Sequence, residues 1–301
     1  MIRQELRELF EKQGYGLVGN HSACKICHWT KEAIRGKSVC YKQQFYGIQS
    51  HRCLQMTPAV DVCNHNCTFC WRAMDFTGGN MIDDPDEPQE MIDGLIEQQR
   101  KLIVGFKGSS TADMRKYEEA QDPNMAAISL SGEPTLYPKL GGLIEEFHKR
   151  DFTTFLVTNG TRPDVLRQIT EPTQLYVSLD APTEEMYKKI DRPLIKGGWG
   201  ALQESLQLFP SLDCRKVVRL TLLRSNMVEP EKYAKLISAA SPDYVECKAY
   251  MHVGFSRKRL PHEEMPLHQE IEDFSARLSE ELGYTVKDRK EDSRVVLLSR
   301  Q

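Results

Sequence analysis

Cys63, Cys67 and Cys70 stand within eight residues, reading Cys-Asn-His-Asn-Cys-Thr-Phe-Cys, with Phe69 just before the last cysteine and Trp71 just after it. Three thiolates on a short loop can hold three irons of a four-iron cluster and leave one iron without a protein ligand. An open coordination position is where a substrate or cosubstrate binds a metal. The loop therefore predicts chemistry rather than a structural staple. The competing reading is structural zinc with His65 as the fourth ligand, but three cysteines crowded into eight residues are atypical of zinc. A second set, Cys27, Cys40 and Cys53, is spaced thirteen residues apart twice over. Three more thiolates without an obvious fourth suggest a second cluster, again with an open iron. Cys24 and Cys27 form half of a zinc-like pair. The thirteen-residue register makes Cys27 the ligand and Cys24 a bystander, and Cys214 and Cys247 read as scattered buried thiols.

The elements that must position these loops follow from the hydrophobic pattern. From residue 58 onward, apolar runs alternate with amphipathic stretches. Strands are expected at 59–62, 126–131, 153–158, 174–180, 216–222 and 244–250. Helices are expected at 88–104, 136–150, 163–170, 183–190, 199–209 and 230–240, several opening on Pro-led or acid-led starts. Strands alternating with helices argue an α/β fold with a parallel sheet. Six such units make an incomplete parallel (β/α)6 barrel, in which functional loops lie at the C-terminal ends of the strands. The Cys63 loop follows the first strand and so lies at that end. A short helix at 3–13 precedes the barrel. A long helix at 263–283 and a hairpin of strands at 284–288 and 294–299 follow it. Residues 14–57 show little periodicity, and a metal centre would fix their shape. The expected organisation is a cluster-bearing extension at 1–57, the barrel at 58–255, and a C-terminal appendage at 256–301 that opens on the basic run Arg257-Lys258-Arg259.

Composition sets bounds. The 301 residues are 40% hydrophobic and 28% charged, with net charge -3. No apolar run reaches the roughly 18 residues of a membrane span. The N-terminus lacks the apolar stretch of a signal peptide, so a cytoplasmic protein is expected. Seven of the nine cysteines fall between Cys24 and Cys70, which in a reducing compartment favours metal over disulfides. Charge is uneven. Residues 20–55 hold Lys25, Lys31, Arg35, Lys37, Lys42 and Arg52 against Glu32 alone, and residues 248–262 hold Lys248, Arg257, Lys258 and Arg259 without an acid. Two basic segments beside an acidic body could form one phosphate-binding surface, or simply two solvated loops.

The Cys63, Cys67, Cys70 spacing, beside a strand and an aromatic, resembles the radical S-adenosylmethionine superfamily. In that superfamily the open iron chelates the methionine part of the cosubstrate, and electron transfer yields a 5′-deoxyadenosyl radical. The resemblance extends downstream. Ser131-Gly132-Glu133-Pro134 ends the second expected strand, where the superfamily has a Gly-Gly-Glu-like motif that contacts the methionine amino group. Asn159 ends the third strand, and Ser178 with Asp180 ends the fourth. Gly132, Glu133, Asn159 and Ser178 are thus implied to bind S-adenosyl-L-methionine.

The second cysteine set separates this chain from the generic superfamily. With the segments Cys40–Ile48, His51–Pro58, Cys67–Arg72, Ser131–Pro138 and Lys248–Arg257, it resembles the tRNA 4-demethylwyosine synthase family. The short form is implied, without the flavodoxin-like domain of longer members. The resemblance implies a carbon–carbon lyase with two [4Fe-4S] clusters. Cys63, Cys67 and Cys70 would hold the S-adenosylmethionine-binding cluster, and Cys27, Cys40 and Cys53 the second. The implied substrates are pyruvate and N1-methylguanosine at position 37, in the anticodon loop of tRNA(Phe). Two pyruvate carbons are kept and a third ring closes on the guanine. Lys42, two residues from Cys40, is the expected Schiff-base lysine, since a desolvated lysine can condense with a carbonyl. Lys248 is its rival. Tyr41, Phe45, Tyr46 and Trp71 could hold an unstacked guanine, and Arg257, Lys258 and Arg259 could contact phosphates. The electron would come from an external flavodoxin- or ferredoxin-like donor, no membrane is involved, and a monomer is expected. The alternatives are another radical enzyme, such as an activase of a glycyl-radical enzyme, and a non-catalytic, metal-stabilised RNA-binding module.

Overall fold

The structure, a computed structural model, describes residues 2, 4–73 and 81–300. It divides into two compact units. The first comprises residues 1–63, 76–157 and 169–173, and the second residues 64–75, 158–168 and 174–301.

The first unit opens on helix α1 (Gln4–Lys12), whose Leu6 and Phe10 form one buried stripe; Arg3, where the expected helix begins, lies outside the described residues. Strands β1 (Tyr15–Val18) and β2 (Ser22–Lys25), helices α2 (His28–Ile34) and α3 (Tyr41–Tyr46) and strand β3 (Cys53–Thr57) follow. Helices α4 (Pro88–Ile103) and α5 (Met114–Ala120), strand β4 (Met125–Ile128), helix α6 (Leu140–Lys149) and strand β5 (Thr153–Thr158) complete it. β3, β4 and β5 are parallel neighbours, while β1 and β2 add an antiparallel pair at the edge. Leu54, Met56, Ala126, Ile128, Thr154 and Leu156 share one fully buried face of these strands. Because side chains alternate across a strand, Cys53, Gln55, Ala127 and Phe155 share the other. Helix α3 lies on that second face, with Tyr46 packing on Phe155 at 6.2 Å between ring centres.

Two sequence expectations change here. The first parallel strand is 53–57, not 59–62. Pro58 has no N–H to continue the ladder, and the next residues bond to loops instead: Val60 N donates to His21 O at 2.9 Å, and Val60 O accepts from Ser131 Oγ at 2.7 Å. Ala59 and Val60 are apolar because they are buried, not because they are strand. Residues 14–57 also take part in an apolar core, in which Ile26 and Ile34 pack with Ile103, Tyr117 and Ala120 from further along the chain.

The second unit contains helix α7 (Pro163–Leu166), strand β6 (Gln174–Ser178), helices α8 (Glu184–Ile190) and α9 (Gly198–Gln207), and strand β7 (Arg215–Leu222). Helix α10 (Pro230–Ala240), strand β8 (Tyr244–Ala249), helix α11 (His268–Leu282) and strands β9 (Thr285–Lys290) and β10 (Val295–Ser299) follow. β6, β7 and β8 run parallel, and β10 adds antiparallel to β8 with β9 outside it. Three parallel strands in each unit account for the six expected, and the C-terminal helix and hairpin are as the pattern predicts. Among the described residues, β1 and β9 are each paired on one side only. No described helix is long and apolar enough to cross a membrane.

Candidate active site

In the first unit each cysteine of the thirteen-residue register sits where a secondary-structure element begins. Cys27 caps α2, its sulfur accepting from Thr30 N at 3.3 Å. Cys40 precedes α3, and Cys53 opens β3. The three converge. Burial pushes the Cys53 thiol well above its ordinary pKa, the neighbouring Cys27 and Cys40 push it further, and the Lys42 ammonium pulls it back. Ser50 is the hub that brings the segments together. Its Oγ accepts from Cys40 N at 2.9 Å, its carbonyl accepts from Thr30 Oγ1 at 3.1 Å, and its N–H donates to Gln43 Oε1 at 3.0 Å. The sequence carries no sign of this, because a serine does not show which backbone or side-chain groups it will meet in the fold.

Lys42 is 7% exposed, an unusual environment for a lysine. Its Nζ lies 4.6 Å from the centre of the Phe155 ring, on the sheet face that carries Cys53. The rival Lys248 is in the second unit, where its Nζ donates to Ser293 O at 2.7 Å. Cys24 stands apart from the trio. It is fully buried in β2, its thiol donates to Leu95 O at 3.6 Å, and burial pushes it up to about 12. Of the aromatics, Tyr41 and Phe45 are buried against each other, while Tyr46 and Trp71 are half-buried.

The residues leading to Cys63 are clamped by the motif after β4. Thr57 Oγ1 donates to Ser131 O at 2.5 Å, and Glu133 N donates to Val62 O at 2.9 Å. Gly132 sits between them at φ +67°, and a Cβ there would lie 1.7 Å from the Ala59 carbonyl oxygen. Only glycine allows that approach. Glu133 is buried, its Oε1 accepting from Thr135 N and Oγ1 at 3.1 and 2.7 Å.

In the second unit the segment after Cys63 is held just as closely. Asn64, Asn159 and Thr161 form a closed ring. Asn159 Nδ2 donates to Asn64 Oδ1 at 2.7 Å, Asn64 Nδ2 donates to Thr161 Oγ1 at 2.7 Å, and Thr161 Oγ1 donates to Asn159 Oδ1 at 2.6 Å. Ser178 is half-buried at the end of β6. Two residues on, Asp180 is buried and raised to about 6, chiefly by desolvation, while its bond from Thr221 N at 2.6 Å opposes the rise. Cys67 donates to Asp191 Oδ1 at 3.5 Å, and His65 Nδ1 is 4.0 Å from Cys67 Sγ. The ligand atoms of His65, Cys67 and Asp191 lie within 4.8 Å of one another, a geometry open to a metal. His65 Nε2 is already bonded to Tyr187 OH at 2.7 Å, and burial lowers the imidazole to about 4.

Burial raises the Cys70 thiol, and the Arg72 and Arg259 guanidinium groups lower it. Arg259 reaches this loop directly, donating through Nε to Thr68 O at 3.2 Å and through Nη2 to Cys70 O. The basic triplet is therefore divided, since Arg257 and Lys258 are exposed while Arg259 is half-buried on the cysteine loop. Gly254, at φ +59°, brings this segment against Trp71. A Cβ would lie 2.5 Å from Trp71 O, which also accepts from Phe255 N at 3.0 Å.

The donor sets fit iron–sulfur centres. Cys27, Cys40 and Cys53 are within electrostatic range of one another, and Cys70 is flanked by two cations that suit a negatively charged thiolate cluster. Parallel α/β architecture with this cysteine loop defines a radical S-adenosylmethionine enzyme, and residues 57–237 match the Radical SAM superfamily. Residues 239–300 match the family described as Wyosine base formation. The chain belongs to the family of S-adenosyl-L-methionine-dependent tRNA 4-demethylwyosine synthases.

It is 52% identical over 304 residues to the Pyrococcus abyssi (strain GE5 / Orsay) member, covering 99% of this chain and 89% of that protein. It is 40% identical over 307 residues to the Methanocaldococcus jannaschii member, covering 100% of this chain and 97% of that one. Among solved structures, TYW1 with a lysine–pyruvate adduct bound superposes with a TM-score of 0.90 at 39% identity, covering 99% of this chain and 96% of that one. Archaeal TYW1 superposes with a TM-score of 0.82 at 35% identity, with the same coverage. The expected fold class stands, and neither the glycyl-radical activase nor the non-catalytic module is favoured by these likenesses.

Proposed function

We propose that the protein condenses N1-methylguanosine-37 of tRNA(Phe) with pyruvate to form 4-demethylwyosine, with S-adenosyl-L-methionine converted to methionine and 5′-deoxyadenosine. The observation that carries this reading is Lys42, a buried amine beside Cys27, Cys40 and Cys53. A lysine in such surroundings suits condensation with a keto acid. Its amine attacks the pyruvate keto carbon, and water leaves as the Schiff base forms. The Phe155 ring beneath the ammonium keeps the site dry on that side.

Cys27, Cys40 and Cys53 would hold a second [4Fe-4S] cluster whose open iron takes pyruvate. Cys63, Cys67 and Cys70 would hold the cluster that, when bound with the cosubstrate, supplies the electron for carbon–sulfur cleavage and hence the radical that activates the N1-methyl group. Gly132 and Glu133 present backbone to the cosubstrate, and Asn159 and Ser178 offer polar groups at strand ends. Trp71, half-buried on the cysteine loop, is the aromatic offered to the guanine. Arg257 and Lys258, exposed in the appendage at 256–301, take tRNA phosphates. Arg259 contributes its charge to the cysteine loop instead. The protein acts as a cytoplasmic monomer with an external flavodoxin- or ferredoxin-like donor.

The test is reductive trapping with borohydride and labelled pyruvate. Label should appear on the peptide containing Lys42 and disappear in Lys42→Ala. Label on Lys248, or undiminished label in Lys42→Ala, would overturn the assignment.

A further inference from the structure

The second unit holds a cavity of about 620 Å³ lined by Asn66, Tyr187, Arg192, Leu194, Lys196 and Trp199, among others. Its charge is positive. Glu184 is paired with Lys188 at 2.7 Å, whereas Arg192 and Lys196 form no ion pair among the described residues. Leu194 adds exposed apolar surface beside them. Asn66 supplies a buried Oδ1 without a hydrogen-bond partner among the described residues.

A chain of rings runs from this cavity to a cysteine of the loop. Trp199 and Tyr187 lie 5.4 Å apart between centres, and Tyr187 and His65 are also 5.4 Å apart. Tyr187 OH meets His65 Nε2 at 2.7 Å, and His65 Nδ1 is 4.0 Å from Cys67 Sγ. The cavity wall and the loop are also joined by backbone. Asn66 N donates to Asp191 O at 3.2 Å and Arg192 O at 3.1 Å, Leu194 N donates to Asn64 O at 2.9 Å, and Thr68 N donates to Ile190 O at 2.8 Å. Arg192 is held at φ +46°, a conformation non-glycine residues seldom adopt and one that clusters at functional sites.

We infer that this cavity is the docking site for an acidic one-electron carrier protein, and that the electron enters through Trp199, Tyr187 and His65 to the cluster on Cys67. The inference rests on the proposed assignment of Cys63, Cys67 and Cys70 to that cluster. One electron leaves the reduced carrier, which is oxidised by one equivalent, and the cluster gains it. No bond is made or broken. The rings act as a packed medium for tunnelling and are not themselves oxidised or reduced. Arg192 and Lys196 steer an acidic partner, and Leu194 gives it apolar purchase. RNA would also be drawn to cations beside a tryptophan. However, polyanion binding draws on several phosphate contacts, and an aromatic path to a thiolate has no use in it.

The test uses the reconstituted protein and reduced flavodoxin as the probe. The rate of cluster reduction is read from the electron paramagnetic resonance signal that responds to added cosubstrate. Each rate is divided by that obtained with dithionite on the same protein. The double variant Arg192→Glu/Lys196→Glu should lower the ratio at least tenfold at low salt. The deficit should shrink near 1 M salt, where the Debye length is about 3 Å. At saturating flavodoxin, Trp199→Leu should slow the limiting rate, and Trp199→Phe, which keeps a ring, should restore most of it. Unchanged ratios in both variants would overturn the inference. So would a charge-reversal variant that loses tRNA affinity while keeping its flavodoxin rate, because the cavity would then belong to RNA. A wild-type protein without a dithionite-reducible, cosubstrate-responsive cluster would instead defeat the cluster assignment, and the docking site with it.

Discussion

Lys42 Nζ lies 4.6 Å above the Phe155 ring, and the same ammonium lowers the thiol of Cys53. The face of three parallel strands that carries Cys53 thus also receives the amine, although α3 and β3 are separate elements. Lys42→Arg keeps the charge but removes the nucleophile. It should retain iron and lose pyruvate trapping, whereas Lys42→Ala should lose trapping and, by baring the Phe155 face, also loosen the cysteine trio. Iron content and trapped label, measured on both variants, separate the two roles.

The cysteine trio and Cys24 should separate in iron analysis. Cys27→Ala, Cys40→Ala and Cys53→Ala should each lose about half of the bound iron, the share of one four-iron cluster in a two-cluster protein. Cys24→Ala should keep its iron and lose stability by on the order of 1–2 kcal/mol, as expected for a small buried side chain removed from a packed site. Ser50→Ala should also lose iron, because it releases Cys40 N at the start of α3, while the backbone bond from Ser50 N to Gln43 is kept.

Gly132→Ala should be one of the most damaging single-methyl changes in the chain. The added carbon meets backbone oxygen at 1.7 Å and sits at positive φ, so residues 59–62 must move. A loss on the order of 3 kcal/mol or more is expected. The measurement is the denaturation midpoint of the apo protein, with iron content in the reconstituted one.

The basic segment should split by function. Arg257→Ala/Lys258→Ala should weaken tRNA binding and reduce the slope of affinity against salt by roughly 1–2 units, about 0.7 for each single-strand phosphate contact. Arg259→Ala should act mainly on the cysteine loop, lowering iron retention through the lost contacts to Thr68 O and Cys70 O. Equal effects of all three substitutions on tRNA affinity alone would contradict this division.

The C-terminal helix gives a prediction in pH. Glu270 accepts from Arg224 at 2.8 and 2.7 Å and from Leu267 N at 2.7 Å, and these bonds hold it down to about 2. Its unfolded value is about 4.3. Depression in the folded state means the stabilisation is fully present above that value and is lost as pH falls towards about 2. The pair is partly exposed, so Glu270→Gln should cost under about 1 kcal/mol at neutral pH. The difference from wild type should vanish in acid denaturation curves at the lowest pH.

The cysteine sets were legible in the sequence because ligand spacing is a local property of the chain. Gly132 was legible because its motif follows a strand. The strand before Cys63 was misplaced because burial and strand formation both select apolar residues, and Ala59-Val60 satisfies the first without the second. Ser50, the Asn64–Asn159–Thr161 ring and the turning of Arg259 onto Cys70 were not legible. Each depends on groups brought together by the fold, and serine, asparagine and arginine carry no sign of which partner they will find. Residues 14–57 looked unable to hold a shape because their core residues, Ile26 and Ile34, are completed by Ile103 and Tyr117 from far along the chain.

The central claim is that the chain builds a third ring on a methylated guanine from pyruvate. The most direct measurement is mass spectrometry of N1-methylguanosine-containing tRNA(Phe) after anaerobic incubation with the reconstituted, reduced protein, S-adenosyl-L-methionine and pyruvate. The account predicts that the modified guanine gains the mass of two carbons, both carrying label when pyruvate labelled at its second and third carbons is used. A guanine of unchanged mass, in a preparation that still cleaves the cosubstrate, would contradict it.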